Sequence, residues 1–172
     1  MRTLVSDPPP AEFEQLLEQR RRWGADRRDE VWEGVLHMNP APDLTHGALV
    51  AQLIVALMPV AKMARLLVSD QFNLGAGLSD YRIPDVGLHR SRAGAWLDTA
   101  ALAAEILSPG DETWDKLPFY AAHHVDELLI IDPVEHAVHW LALDEQGDYP
   151  PVEQSGLIDL GPVQLAGQID WP

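Results

Sequence analysis

Residues 82–90 read RIPDVGLHR and residues 97–116 read LDTAALAAEILSPGDETWDK. The run at 100–107, ALAAEILS, is almost continuously small and apolar, the composition of a central strand covered on both faces. Glu105 interrupts it. Asp85 stands in the strand predicted over 81–90, where Pro84 marks a strand start or an edge position. Lys116 falls in the first turn of the helix predicted over 114–124, where Pro118 is tolerable because it lies near that turn. Alternation puts Asp85 on the side of Ile83 and Gly87, and Glu105 on the side of Ala101 and Ala103, small neighbours that leave room for an ion. A buried, ionised carboxylate costs on the order of several kcal/mol unless a cation or hydrogen bonds offset it. Oxygen donors without a thiolate suit a hard divalent cation, Mg2+ or Mn2+, completed by waters and phosphate oxygens. Lys116 is one of two lysines in the chain. An ammonium beside the acids would orient an attacking water and stabilise charge developing on a phosphoryl group. The bland alternative is a pair of solvated strand ends and an ordinary surface lysine.

Outward from this stretch, residues 126–132 (DELLIID) predict a second buried strand, paired as a hairpin with 136–143 (HAVHWLAL). Upstream, residues 66–74 (LLVSDQFNL) read as a strand and GAGLSD as a turn. Residues 47–61 form an apolar run that predicts a buried helix, capped by Asp43 or Thr45 and ended or kinked by Pro59. His46 sits at the N-terminal edge of its apolar stripe, as a ligand or as a hydrogen-bonded core histidine. Residues 30–38 (EVWEGVLHM) predict a strand or hairpin, and 11–22 a short helix with acids early and arginines late. RRRWGADRR follows, with five arginines in nine residues around Trp23. It reads either as a phosphate-contacting patch with an aromatic platform or as a solvated helix end. SRAGAWLDT reads as loop, and the final LIDLGPVQLAGQIDW gives only weak strand signals. The order is helix, three strands, helix, strand, with additions at both ends: an α/β mixed sheet with helices packed on it.

The length predicts one domain over 1–172 with a core at about 30–133. There is no cysteine, which excludes a disulfide framework and any thiolate chemistry. MRTLVSDPPPAEFE lacks the apolar segment of a signal peptide, so a cytoplasmic location is expected. The run at 47–61 is shorter than the roughly 18–20 residues of a membrane span, and no membrane association is expected. Net charge is −15, and residues 91–172 carry only Arg92 and Lys116 against fifteen acids. Such an acidic half repels a polyanion and favours solubility or a basic partner. Trp96, Trp140 and Trp171 read as exposed aromatics that a homodimer could use.

EVWEGVLHMNPAP followed by His46, IPD at 83–85, AEILSP at 104–109 and DKLPFYAAHHVDELLIIDP at 115–133 together resemble the bacterial putative restriction endonuclease family, within the restriction-endonuclease-like PD-(D/E)XK superfamily. The resemblance implies a restriction-endonuclease-like α/β fold, a mixed sheet core flanked by helices with extra N- and C-terminal strands. It implies a metal-dependent endonuclease acting on DNA. Pro84 and Asp85 stand where the family has its PD, and Glu105 where it has its second acid. Leu107 occupies the usual lysine position, and Lys116 stands for a lysine displaced onto the following helix. Glu30 and His46 match an acid and a histidine of the family. Asp85, Glu105 and the Ile106 carbonyl would hold Mg2+ or Mn2+. Two other readings stay open: a degenerate nuclease fold serving as a binding or regulatory module, and a hydrolase of small phosphoesters.

Overall fold

Strand Leu102–Ile106 is buried at every position, and the two sides of the molecule are assembled on its two faces. The computed structural model describes residues 11–92, 94–110 and 112–172. The expectation about a leader at the N-terminus falls largely outside them. In chain order the elements are α1 (Ala11–Trp23), β1 (Glu30–Trp32), β2 (Val35–His37), α2 (Leu44–Met63), β3 (Leu67–Ser69), β4 (Asn73–Gly77) and β5 (Asp80–Arg82). Then come β6 (Val86–His89), β7 (Trp96–Leu97), β8 (Leu102–Ile106), a 3-10 turn (Thr113–Lys116), α3 (Leu117–Ala122), β9 (Glu127–Asp132), β10 (Ala137–Ala142) and α4 (Pro162–Ala166).

One sheet runs β10-β9-β8-β6-β3 and a second β2-β1-β5-β4-β7. In the first, β8 and β9 are parallel and all other pairs antiparallel. A parallel pair needs a crossover connection, which the 3-10 turn and α3 supply. The expected helix, three strands, helix, strand is therefore α2, β3, β6, β8, α3 and β9, with β1 and β2 before it and β10 after. Leu102, Ala104 and Ile106 pack with Val86, Leu88 and the Leu49–Leu53–Leu57 stripe of α2. Ala103, on the opposite face of β8, packs with Leu74, Phe119, Tyr120 and Leu128. Each leucine of the α2 stripe contributes about 1.5–3 kcal/mol of burial.

Several expectations needed correction. Pro59 does not end the helix; α2 runs on to Met63. Pro59 and Val55 both lie on the solvent face, where water can take the carbonyl that the proline leaves unbonded. α2 is also only half buried, since Val55 is 72% exposed. At twenty residues it is long and apolar enough to cross a membrane by length and composition, though its leucine stripe rests on the sheet. The strand read over 66–74 is two, β3 and β4, lying in different sheets. Alternation of apolar residues does not record a change of sheet partner. Likewise 81–90 divides at Pro84 into β5 and β6, because proline cannot donate to a ladder. GAGLSD is partly strand: β4 continues through Gly75, where an added Cβ would lie 2.5 Å from the Asp80 carbonyl oxygen. The loop at 91–99 contributes β7, the helix over 114–124 opens as a 3-10 turn, and the weak C-terminal strand signals hold α4 instead. Trp140 is not exposed but buried at 1%.

Its indole Nε1 donates to Glu127 Oε2 at 2.8 Å. The same carboxylate accepts from Ser155 Oγ and from the Gly156 N–H, both at 2.6 Å. Glu127 is thus a buried charge that ties β9 and β10 to the C-terminal segment. Glu127→Ala is expected to lower the unfolding free energy by on the order of 3 kcal/mol, since it strands three donors, two of them buried. A shift in urea midpoint, with an unchanged slope, measures it; Glu127→Gln should shift the midpoint less.

Candidate active site

Asp43 caps α2: its side chain accepts the His46 N–H at 2.8 Å. That fixes His46 in the first turn, from which its ring reaches out of the helix end. Its Nε2 lies 2.9 Å from Asp85 Oδ1. The second oxygen of Asp85 accepts the Ile106 N–H at 3.0 Å, and the Asp85 N–H donates to the Ala104 carbonyl at 3.0 Å. The β6–β8 register, with Val86 opposite Ala104, carried one residue further sets Asp85 opposite Glu105. The two acids therefore leave neighbouring strands on the same side.

Lys116 closes the group. Its Nζ donates to Glu105 Oε1 at 2.9 Å and to Glu30 Oε1 at 3.1 Å. Glu30 opens β1 and also accepts the Ile83 N–H at 2.8 Å and Trp32 Nε1 at 2.8 Å. Glu30, Asp85, Glu105 and Lys116 are all buried. With His46 they line a cavity of about 480 Å³. All five side chains picked from the sequence thus converge, although they come from residues 30 to 116. Ile106 lines the same cavity.

Tyr120 was missed. Its hydroxyl donates a short hydrogen bond to Glu105 Oε1, and the phenol is 1% exposed. The available signal was its spacing: Lys116 and Tyr120 lie four residues apart in KLPFY, one above the other on a helical face. Arg82 was missed as well. Its guanidinium lies between Trp32 and Phe119, 4.5 and 4.0 Å from the ring centroids.

Burial pushes the Glu105 carboxyl up to about 7, with Asp85 and Glu30 adding to the rise and Lys116 opposing it. Burial disfavours the Lys116 ammonium, but Glu105 and then Glu30 outweigh it, and its pKa is raised. Lys116 therefore stays charged and serves as a positioned cation, not a proton acceptor. The hydrogen bond that His46 donates to Asp85 raises the His46 pKa, against burial and the nearby Arg28. Burial, then Glu105 and Glu30, raise Tyr120, which keeps its proton for Glu105.

Among the described residues no three His, Asp or Glu side chains form a ready-made metal cage. The donor set is nevertheless one that suits a hard cation. Two oxygen ligands face one another across a strand pair, and Glu30, Asp85 and Glu105 are buried around the single ammonium of Lys116. A Mg2+ ion needs only one or two carboxylates, with waters and substrate oxygens completing the shell.

A family model described as "Uma2: Putative restriction endonuclease" matches residues 10–167. The chain belongs to that family. Among solved structures it is similar to a protein from Anabaena variabilis ATCC 29413, described as a putative nuclease belonging to DUF820. The TM-score is 0.64 at 16% identity, over 81% of this chain and 90% of that one; the likeness establishes the fold. No curated protein matches.

Between about pH 4.5 and 7 the folded protein holds the Glu105 proton while the unfolded chain has lost it. Stability in metal-free buffer should therefore fall as pH rises through that window, by on the order of 1–3 kcal/mol. Urea unfolding of the wild type and of Glu105→Gln checks this, the variant losing most of the decline. A wild-type midpoint that rises across the window contradicts it.

Proposed function

We propose that this member of the restriction endonuclease family is a Mg2+-dependent endonuclease that hydrolyses DNA phosphodiester bonds. The observation that carries the reading is the cross-strand pair Asp85 and Glu105 with Lys116 fixed beside them in an open cavity. Asp85, Glu105 and the Ile106 carbonyl are the residues that would hold the ion. When bound, the ion would polarise a phosphoryl oxygen and lower the pKa of a coordinated water.

The chain's own residues supply the rest. Lys116, kept charged by Glu30 and Glu105, holds a fixed positive charge where negative charge develops on the phosphoryl group. Glu30 fixes Lys116 in turn, itself held by the Ile83 N–H and Trp32. Tyr120 fixes the Glu105 rotamer. His46 holds Asp85 from the α2 end and can donate a proton to a departing oxygen. Two copies, each cutting one strand, would be needed for a double-strand break.

Purified protein should nick plasmid DNA with Mg2+ or Mn2+ and stop on addition of a chelator. Asp85→Ala and Glu105→Ala should each lower the rate at least about a hundredfold, and Lys116→Met by a similar factor. Wild-type cleavage by Glu105→Ala would overturn the assignment. Hydrolysis of bis(p-nitrophenyl) phosphate with intact DNA would move the substrate to small phosphodiesters.

A further inference from the structure

Arg28 lines the same cavity as the three acids. Among the described residues it makes no ion pair. With the Gln71 amide oriented by its hydrogen bonds, the Gln71 oxygen accepts from Nε, Nη1 and Nη2 of Arg28 at 3.0 to 3.1 Å. A guanidinium held by a neutral amide, in a cavity lined by Glu30, Asp43, Asp85, Glu105 and Glu112 with none of which it forms an ion pair, is left with its charge for a ligand. The ligand chemistry that suits it is a phosphate, which guanidinium groups bind through paired N–H donors.

Arg28 ends the loop at residues 24–28 that follows α1, and this loop is built to stay in place. Arg20 forms an ion pair with the buried Asp29 and donates to the Ala25 and Asn39 carbonyls at 2.8 and 3.2 Å. Asn39 Nδ2 donates to the Arg28 carbonyl at 2.8 Å, and the Asn39 N–H to Asp29 Oδ1 at 3.1 Å. So the first arginine of the cluster is structural, and its work is to fix the others. Arg21 and Arg27 are exposed and, among the described residues, without an ion pair; Arg22 reaches the exposed Glu18 at 3.4 Å. Trp23 projects among them at 76% exposure. In a chain of net charge −15 this is the one dense group of arginines, and it leads into the cavity.

We infer that the segment at residues 21–28, the last turn of α1 and the loop after it, is the strand-gripping element of this protein: Arg28 takes the phosphate at the cavity, Arg21 and Arg27 take flanking phosphates, and Trp23 stacks on an unpaired base. The inference rests on the nuclease reading, and it names the substrate surface of that site. Trp23 and Arg28 are five residues apart, at most roughly 18 Å, so one strand can meet both. Arginine with an exposed indole is the combination that binds single strands without sequence preference. The same loop answers the objection from net charge, because its field acts at the cavity mouth within a Debye length of about 8–10 Å.

Anisotropy of a labelled single-stranded oligonucleotide, read in Ca2+ over a salt series, tests it. Wild type should bind more weakly as salt rises. Arg21→Ala, Arg27→Ala and Arg28→Gln should each make the log–log slope shallower by about 0.7. Trp23→Ala should weaken binding about tenfold at unchanged slope, with Trp23→Phe restoring most of it. Wild-type affinity and slope in all four variants would overturn the inference while leaving the nuclease reading intact. Cleavage by Glu105→Ala, with the loop variants weakened as stated, would overturn the reading alone. Binding of the wild type to anionic vesicles but to no oligonucleotide would overturn the inference in favour of a membrane surface.

Discussion

One ammonium group carries the architecture of the cavity. Lys116 Nζ is shared between Glu105 at 2.9 Å and Glu30 at 3.1 Å, so it joins the 3-10 turn, the central strand β8 and the N-terminal strand β1. These belong to different layers: Glu30 lies in the sheet β2-β1-β5-β4-β7, Glu105 in the sheet β10-β9-β8-β6-β3. Removing a charge from such a pair leaves the other buried and uncompensated, which is why buried pairs are costly to break even where their net contribution is small. Here there are two acids to one base, with Asp85 close by. The excess negative charge is not a defect of packing. With burial, which raises the Glu105 carboxyl most, it adds to that rise through Asp85 and Glu30, and it would make the cavity receptive to a cation.

The acidic second half of the chain looks different once its carboxylates are followed individually. Glu127 is buried and bound by three donors. Asp132 accepts the Val134 and Glu135 N–H groups, and Asp144 those of Gln146 and Asp148. These acids shape turns and hold the C-terminal segment; a whole-chain charge of −15 counts them equally with the acids of the cavity. The density of arginine over residues 20–28 decides more about a phosphate ligand than the total does, because screening makes electrostatics local.

The part of this architecture that could be read from sequence is the part governed by burial. An acid inside AAEIL or after IP is conspicuous because its neighbours are apolar, and so Asp85 and Glu105 could be named. The order α2, β3, β6, β8, α3, β9 followed from the alternation of apolar runs and breaks. What stayed hidden depends on partners rather than on pattern. The division of residues 66–74 between two sheets, the survival of α2 past Pro59 and the helix α4 in place of weak strands each turn on what lies across space. Tyr120 is the same case within the site. A tyrosine in KLPFY is unremarkable until Glu105 is opposite its hydroxyl.

The raised pKa of Lys116 constrains any hydrolytic chemistry here. A lysine held between two carboxylates cannot collect a proton from water near neutral pH, because the charge it would lose is what Glu30 and Glu105 stabilise. Tyr120 is likewise committed, its proton spent on Glu105. His46, raised by Asp85, is better placed to give a proton than to take one. The Glu105 carboxyl is pushed up to about 7 as the acids stand, and a cation bound to it would depress that value again. In the proposed hydrolysis the protein residues would therefore arrange charge and direction around the phosphate, and the proton of the attacking water would leave to solvent or to the phosphate itself. The cavity is open enough for either.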